Sequence, residues 1–417
     1  FYNLREDGGV VGDFATTAPI IGSSTVNFGN VSTFANCAGF NGCTGVSGAP
    51  LVNPQDSKIM PINHKIASTF SANFGIQHEI GYSTILDVAY VGTWGRHLEV
   101  TPNINEVPYL SQFLPQNLDP SAKPATFLNG TVTEQPAKSD NFFRPSFAGY
   151  GNVDVRQYTG TSNYNALQTS VTRRFAKDLQ FGVSYTWSKT LSYSDTGGTG
   201  TAGSIALYQN PRWWNYGLAN IDRTNNLVFH WLYKLPNATR LWDNPVLKAV
   251  ADGWEWSGIS EFVSGSPQSV TMSTGTLNLT GGGDGARILV FGDALAPDSQ
   301  HRSAFQFLNN SAFALPPVGV IPSPGMPGIT RRVTYRGPGT QNWDMALAKT
   351  ISITERFKFQ LRGEAYNVFN HVSFTGVQNT ATFNTTTGAL DLSKTSFGAL
   401  TSDRGPRVLQ LVGKITF

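Results

Sequence analysis

The 417-residue chain has few charged residues (14%) but many aromatic residues (12%) and 43 glycines. Soluble globular proteins carry about 25% charged residues, so this composition argues against an ordinary soluble domain. The net charge of +3 is too small to predict a nucleic-acid partner. No apolar run approaches the roughly 18 residues that a transmembrane helix requires.

The N-terminal region contains the only two cysteines, Cys37 and Cys43, in a stretch rich in Gly, Asn and Ser. In an oxidising compartment they could close a small disulfide loop, and two free thiols are the alternative. We predict no metal site there, because no histidine or second cysteine pair lies nearby. The first residues, FYNLREDGGV, lack the features of a signal peptide. Either a signal was removed or the sequence begins inside a longer gene product.

From residue 67 onwards, apolar and polar residues alternate with a period of two in nine segments. A helix would spread such apolar side chains around its whole surface, so the pattern predicts β-strands. A slip of the pattern after Gly258 suggests a β-bulge. The predicted strands cover residues 67–80, 82–94, 163–175, 179–189, 224–235, 252–264, 342–351, 356–369 and 407–417.

The predicted strands are about as long as tilted membrane strands, which need roughly 9–11 residues. Strands of soluble proteins average about 5–6 residues. In a membrane barrel one face of each strand meets lipid and the other meets the polar lumen. We therefore predict an all-β fold, an antiparallel transmembrane β-barrel. We expect its lumen to hold the charged side chains of Lys349, Lys358, Arg362 and Glu364.

The connections between the strands differ in length. Short turns near 81, 176–178 and 352–355, and a medium connection at 236–251, contrast with long segments at 95–162, 190–223, 265–341 and 370–406. Outer-membrane barrels have short periplasmic turns and long extracellular loops. We therefore expect 1–66 to be an extracellular loop region and 67–417 to form strands and loops of the barrel. The last strand then ends in the periplasm at Phe417.

The number of predicted strands is odd, whereas complete single-chain bacterial barrels have an even number. One explanation is a missed strand, for which the tract 147–160 with Val153, Val155 and Tyr158 is a candidate. The other is that the chain begins in an extracellular loop of a larger barrel. We favour this second explanation.

Several strands resemble those of TonB-dependent receptors of the Oar-like group, which often carry an N-terminal carboxypeptidase-regulatory-like domain. The similarity covers about 66–417. It rests on SNYNALQTSVTRRF (162–175), SYTWSKTL (184–191), GWEWSGISEFVSGSP (253–267), ERFKFQLRGEAYNVFNHVSF (355–374) and RVLQLVGKITF (407–417).

This resemblance implies a 22-stranded barrel closed by a plug domain, of which the chain would be the C-terminal part. It implies import of a ligand with energy relayed by TonB. It also implies that Phe417 belongs to a C-terminal signal for the barrel-assembly machinery. The sequence departs from the complete pattern, because no plug, TonB box or regulatory-like domain is recognisable in it.

Motifs for chemistry are absent, so we predict a non-enzymatic protein without cofactor or metal. The run Gly281–Gly285 lacks the lysine of a phosphate loop and the acids of a calcium loop, which indicates a flexible loop. The aromatic residues Trp213, Trp214 and Tyr216 could stack on a sugar or another flat ligand. Their alternative roles are loop packing or an aromatic girdle at the membrane interface.

Three functions are consistent with the sequence. The first is a TonB-dependent receptor that imports an unidentified ligand. The second is a passive porin, and the third is a structural or adhesion barrel in which the long loops matter. All three place the chain in the outer membrane, in contact with lipid.

The barrel prediction can be tested by gel mobility. We expect protein extracted from membranes to migrate differently before and after boiling, because a folded barrel resists detergent. Recovery in the soluble fraction, with no mobility shift, would contradict the predicted fold.

Overall fold

A computed structural model describes residues 55–61, 65–118, 125–127, 132–134, 144, 146–147, 150–176, 178–193, 211–240, 244–274, 279–282, 287–297, 304–321, 323, 325–330, 334–354, 356–384, 387–393 and 396–417. Cys37 and Cys43 lie outside these residues, so their disulfide stays a prediction. None of the helices within the described ranges has the length and apolar character needed to cross a membrane.

Nine long strands form the main sheet, and each of the nine predicted segments corresponds to one of these strands. Each strand pairs antiparallel with the next along the chain. The strands are β1 Ser68–Gly81, β2 Thr84–Val100, β3 Gln157–Ala176, β4 Leu179–Ser192, β5 Asn225–Lys234, β6 Trp254–Val263, β7 Thr340–Ser352, β8 Lys358–Tyr366 and β9 Val408–Thr416. The two-residue strand Gly217–Leu218 adds to the end of β4.

The strand registers give the sheet one apolar and one polar face, as the alternation predicts. Directly opposed residues lie on the same face of a sheet. The apolar face can be followed through all nine strands by the pairs Phe74–Tyr90, Tyr90–Leu167, Leu167–Trp187, Tyr185–Leu227, Tyr233–Trp256, Trp256–Leu347, Ile351–Phe359 and Phe359–Ile415. Lys358, Arg362 and Glu364 lie on the polar face, where we expect lumenal charge.

Two details of the predicted alternation are wrong. Lys349 pairs with Trp254 and Leu361, so it lies on the apolar face rather than the polar one. No bulge follows Gly258, because β6 keeps a continuous register with both β5 and β7. The pattern slips there because Ser260 occupies the apolar face and Ile259 the polar face.

The candidate tract 147–160 does contain a strand, but not one that continues the main sheet. Residues Tyr150–Val155 pair in parallel with Gln55–Ile59. Residues from Gln157 onwards extend β3 beyond its predicted start. Within the described residues, β1 and β9 each have one neighbouring strand and form the two edges of the sheet. The 22-strand count and the boundary at residue 66 stay predictions.

An aromatic cluster on the apolar face is centred on Trp231. Its ring stacks on Phe229 with centroids 5.0 Å apart and meets Trp256 edge-on at 5.1 Å. Trp231 lies directly across from Gly258, where a Cβ atom would stand 2.5 Å from the indole. Glycine at position 258 therefore leaves the space in which this ring packs.

The described parts of the connections contain short helices and strand pairs of their own. The helices are α1 Pro211–Asn215 and α2 Pro245–Ala251, with 3-10 turns at Ser111–Phe113, Pro115–Asn117, Ala238–Arg240 and Asn310–Ala312. The small strand pairs are Ala125–Phe127 with Val132–Glu134, Pro267–Gln268 with Tyr335–Arg336, Thr271–Ser273 with Thr380–Thr382, Leu289–Val290 with Phe313–Ala314, and Phe374–Val377 with Leu400–Asp403.

Substitution of Gly258 by alanine should destabilise the sheet. The new Cβ would collide with the Trp231 indole and with the Asp344 carbonyl oxygen at 2.8 Å. Such overpacking costs about 1–3 kcal/mol. Gly363→Ala is the matched control, since Gly363 also lies on the apolar face and an added Cβ would stand 4.0 Å from the Leu347 carbonyl oxygen, its nearest neighbour. Denaturant titration of the intact protein in lipid vesicles would measure the free energy of unfolding of both variants. Equal losses of stability would contradict this role for Gly258.

Candidate functional site

A concave region on the polar face lies at the centre of the sheet. It is an open concavity of about 410 Å³ between strands β4 to β8. The polar-face side chains that line it come from all five strands and include Gln180, His230, Ser257, Asp344, Arg362, Glu364 and Tyr366. The wall therefore combines both signs of charge with hydrogen-bonding groups, which suits recognition of a polar ligand or of a polar protein surface.

The charged groups of this region are held by neighbouring contacts. Arg362 pairs with Glu364 at 2.7 Å, and the Tyr366 hydroxyl donates to the same carboxylate at 3.0 Å. The Asp344 carboxylate accepts the backbone N–H of Asn367 at 2.8 Å. These side chains are fixed in position by their partners, which gives the polar face a defined charge pattern.

A second feature is a loop cap, by which we mean the connections β2–β3, β4–β5, β6–β7 and β8–β9 at the long-loop end of the sheet. Its main hydrophobic core comes from the β6–β7 and β8–β9 connections. Buried side chains of this core include Val270, Ile288, Phe307, Leu308, Phe313, Tyr335, Ala381, Phe383 and Phe397. A shared core makes the two connections one folded unit.

Tyr335 shows that this core excludes solvent. Its side chain is 5% exposed, and its hydroxyl donates to Gln268 at 2.7 Å. Burial raises the pKa of the Tyr335 phenol well above its ordinary value, because the charged form would lose its hydration.

The β2–β3 connection joins the cap through backbone hydrogen bonds. The N–H groups of Leu110 and Gln112 donate to the carbonyls of Thr280 and Gly281, both at 2.8 Å. Gly281 has a φ of +58° and lies against Phe113, whose ring would stand 2.7 Å from an added Cβ. The described part of the glycine run is thus packed, contrary to the expected flexible loop, while residues 283–286 lie outside the described residues.

An ion pair between the buried Asp222 and the partly exposed Arg336 ties the cap to the strand ends. The Asp222 side chain is fully buried, and its carboxylate accepts the Thr190 backbone N–H and a guanidinium N–H of Arg336 at 2.6 Å. Arg336 also donates to the Gly265 carbonyl at 3.2 Å. The pair therefore joins the end of β4 and the β4–β5 connection to the β6–β7 connection.

The predicted aromatic residues lie on α1 or directly after it, with different surroundings. Trp214 is 2% exposed, meets Trp213 edge-on at 4.7 Å and has the Arg287 guanidinium 5.5 Å from its ring. Trp214 thus packs inside the cap. Tyr216 is half-buried under the Arg212 guanidinium at 4.5 Å. Ligand contact at Trp213, Trp214 and Tyr216 stays a prediction.

The C-terminal aromatic residue lies at the short-turn end of the sheet. Phe417 follows β9, is 87% exposed and has its ring 6.4 Å from that of Phe357. Its role as an assembly signal stays a prediction. Across the described residues, no three His, Cys, Asp or Glu side chains cluster closely enough to hold a metal ion.

Sequence reasoning missed the ion pair and the shared core of the cap. Asp222 and Arg336 are 114 residues apart and lie in different connections. The apolar residues of the core are scattered through segments without strand or helix periodicity. The only available signal was the number of aromatic and aliphatic residues in connections expected to be flexible.

Comparison with known proteins gives one family. The sequence model of the family described as outer membrane beta barrel domain matches residues 1–410. No curated protein sequence matches the chain.

Several solved structures are similar to this chain. They include the outer membrane transporter YddB from Escherichia coli, with 8% identity, a TM-score of 0.42, and coverage of 88% of this chain and 34% of that one. The ferric-catecholate import receptor Fiu from E. coli K12 is 10% identical, with a TM-score of 0.35 and coverage of 85% of this chain and 28% of that one. The ferric citrate transporter FecA is 10% identical, with a TM-score of 0.33 and coverage of 84% of this chain and 31% of that one. The chain spans about a third of the length of these structures.

Loss of Arg336 should loosen the loop cap. In Arg336→Met the Asp222 carboxylate would stay buried without its ion partner, which costs about 3 kcal/mol. Arg404→Met is the control, because the Arg404–Glu261 pair is exposed and worth less than about 1 kcal/mol. Hydrogen exchange in the cap segments would measure the effect. The double variant Asp222→Asn/Arg336→Met should recover part of the protection, and protection unchanged in Arg336→Met would refute the role of the pair.

Proposed function

The chain belongs to the outer membrane β-barrel domain family, and on that premise we propose that it forms part of the wall and the outer cap of a ligand-importing receptor. Its location is the outer membrane. The apolar face of the nine strands meets lipid, and the polar face meets the lumen. The protein binds and admits a ligand and carries out no covalent chemistry.

The observation that carries this proposal is the folded loop cap. A receptor must hold ligand-binding groups in fixed positions, because ordering a loop on binding costs affinity. The cap has its own hydrophobic core and an Asp222–Arg336 ion pair whose carboxylate is buried. A passive pore needs no such preorganised surface at its entrance. We therefore place the cap outside the cell and the short turns in the periplasm.

The polar face supports the second part of the proposal, a lumen that engages a plug domain. Arg362, Glu364 and Asp344 present a fixed pattern of charge toward the lumen. The edges at β1 and β9 need further strands, because lipid cannot satisfy unpaired backbone groups. In this proposal such strands complete a larger barrel, the plug fills it, and TonB supplies energy for import.

Electrical measurements distinguish the proposed receptor from a passive porin. We expect the intact protein in planar bilayers with potassium chloride to show no steady open conductance, because plug and cap obstruct the lumen. Persistent channels of uniform size would instead establish a porin.

A growth experiment tests the dependence on TonB. Cells with and without the gene are grown on sugar polymers, peptides or iron chelates as single nutrient sources, in strains with functional or inactive TonB. We expect a growth defect of the gene deletion on at least one source, and no further effect of the deletion once TonB is inactive. A defect that persists without TonB, or a loss of surface attachment alone, would favour the porin or adhesion alternative.

A further inference from the structure

We propose that the β5–β6 connection is a membrane-surface anchor, in which α2 inserts Val246 and Val250 into the phospholipid at the short-turn end of the barrel. This connection runs from Leu235 to Gly253 and contains the 3-10 turn Ala238–Arg240 and the helix. The proposal depends on the outer-membrane location of the chain and not on the proposed import function.

The helix exposes an apolar surface. Val246 is 71% exposed and Val250 is 65% exposed, and Ala249 is also exposed on the same side of the helix. Residues spaced by three and four positions share one helix face. Lys248 lies on the opposite side of the helix with its side chain exposed. An apolar face opposite a cationic one is the arrangement of helices that lie in a membrane interface.

The position of the helix identifies its environment. Trp254 begins β6 and lies on the apolar face, as its pairing with Lys349 and the neighbouring Trp256–Leu347 pair show. Its indole N–H donates to the Val250 carbonyl at 2.8 Å. The last turn of α2 therefore lies beside a lipid-facing side chain. Val250, and Val246 one turn before it, are therefore close to the surface of the sheet that contacts lipid.

The start of the helix is determined locally. Asn244 accepts the Val246 backbone N–H on its side-chain oxygen at 2.8 Å, and its carbonyl accepts the Lys248 N–H at 2.9 Å. Asparagine before the first turn and proline at its first position are favourable helix starters. This short helix thus begins at a defined residue.

The end of the connection is held by Lys349, a charged residue on the apolar face. Its ammonium is almost buried, donates to the Asp252 carbonyl and lies 5.6 Å from the Trp254 ring centroid. The Asp252 carboxylate accepts the Thr239 hydroxyl and, at 3.2 Å, the Thr239 backbone N–H. The hydrogen bond from the Thr239 hydroxyl lowers the pKa of Asp252. These contacts fix the orientation of the connection relative to β6 and β7.

Gly253 completes this attachment. Its φ is +75°, and an added Cβ would stand 2.6 Å from the Thr350 carbonyl oxygen. The Gly253 carbonyl accepts the Thr350 N–H at 2.9 Å. The connection is therefore bonded to β7 at both Lys349 and Thr350, so the apolar side of α2 is presented in a fixed direction.

The test measures what surrounds each helix position in the membrane. Single cysteines replace Val246, Lys248, Val250 or Leu392 in the intact protein, after Cys37→Ser and Cys43→Ser. Each is spin-labelled in vesicles of phosphatidylethanolamine and phosphatidylglycerol. Leu392 is the control, because it is 52% exposed and lies in the loop cap. Collision with oxygen, which enters lipid, is compared with collision with a water-soluble nickel chelate. Boiling-dependent gel mobility checks that each variant folds.

We expect the labels at 246 and 250 to favour oxygen and to report a depth of about 5–10 Å below the lipid surface. The labels at 248 and 392 should favour the nickel chelate. Labels at 246 and 250 that collide with the nickel chelate as readily as the one at 392 would show that the helix faces water. Labels shielded from both reagents would show that protein covers the helix. Either result overturns the proposal.

Discussion

A backbone N–H or C=O group in lipid must find its partner within the protein, because hydrocarbon offers none. The nine-strand sheet meets this requirement by pairing each strand with its neighbour in sequence along an almost continuous register. Such pairing fixes which side chains face lipid and which face the lumen. It also explains the glycine at position 258, where a neighbouring ring needs space but the ladder permits no bulge.

Beyond the ends of the strands the requirement changes. The long connections leave the lipid and must bury apolar side chains by packing against one another. They form a common core around Leu308 and Phe383, joined to the strand ends by the Asp222–Arg336 pair. The result is a surface of defined shape at the long-loop end of the sheet. Our assignment of a receptor function depends on this combination.

The short-turn end follows a different rule, because it lies where lipid meets water. There a lysine can occupy the apolar face, because the Lys349 ammonium donates to the Asp252 carbonyl and lies near the Trp254 ring, close to the membrane boundary. Amphipathic side chains at this boundary attach the β5–β6 connection to the strands. The same boundary leaves exposed valines on α2 where phospholipid could cover them.

Much of the membrane part of this protein was determined by the sequence alone. All nine strands and both faces could be predicted, because alternation with a period of two is a local property and lipid requires it of every strand. The position of Lys349, the space beside Gly258 and the loop cap were decided by the tertiary structure. The Lys349 ammonium of β7 is stabilised by the Asp252 carbonyl in the β5–β6 connection. Position 258 has no room for a side chain because the Trp231 ring of the neighbouring strand occupies that space. The cap depends on contacts between segments more than 100 residues apart, which leave no periodic signal in the sequence.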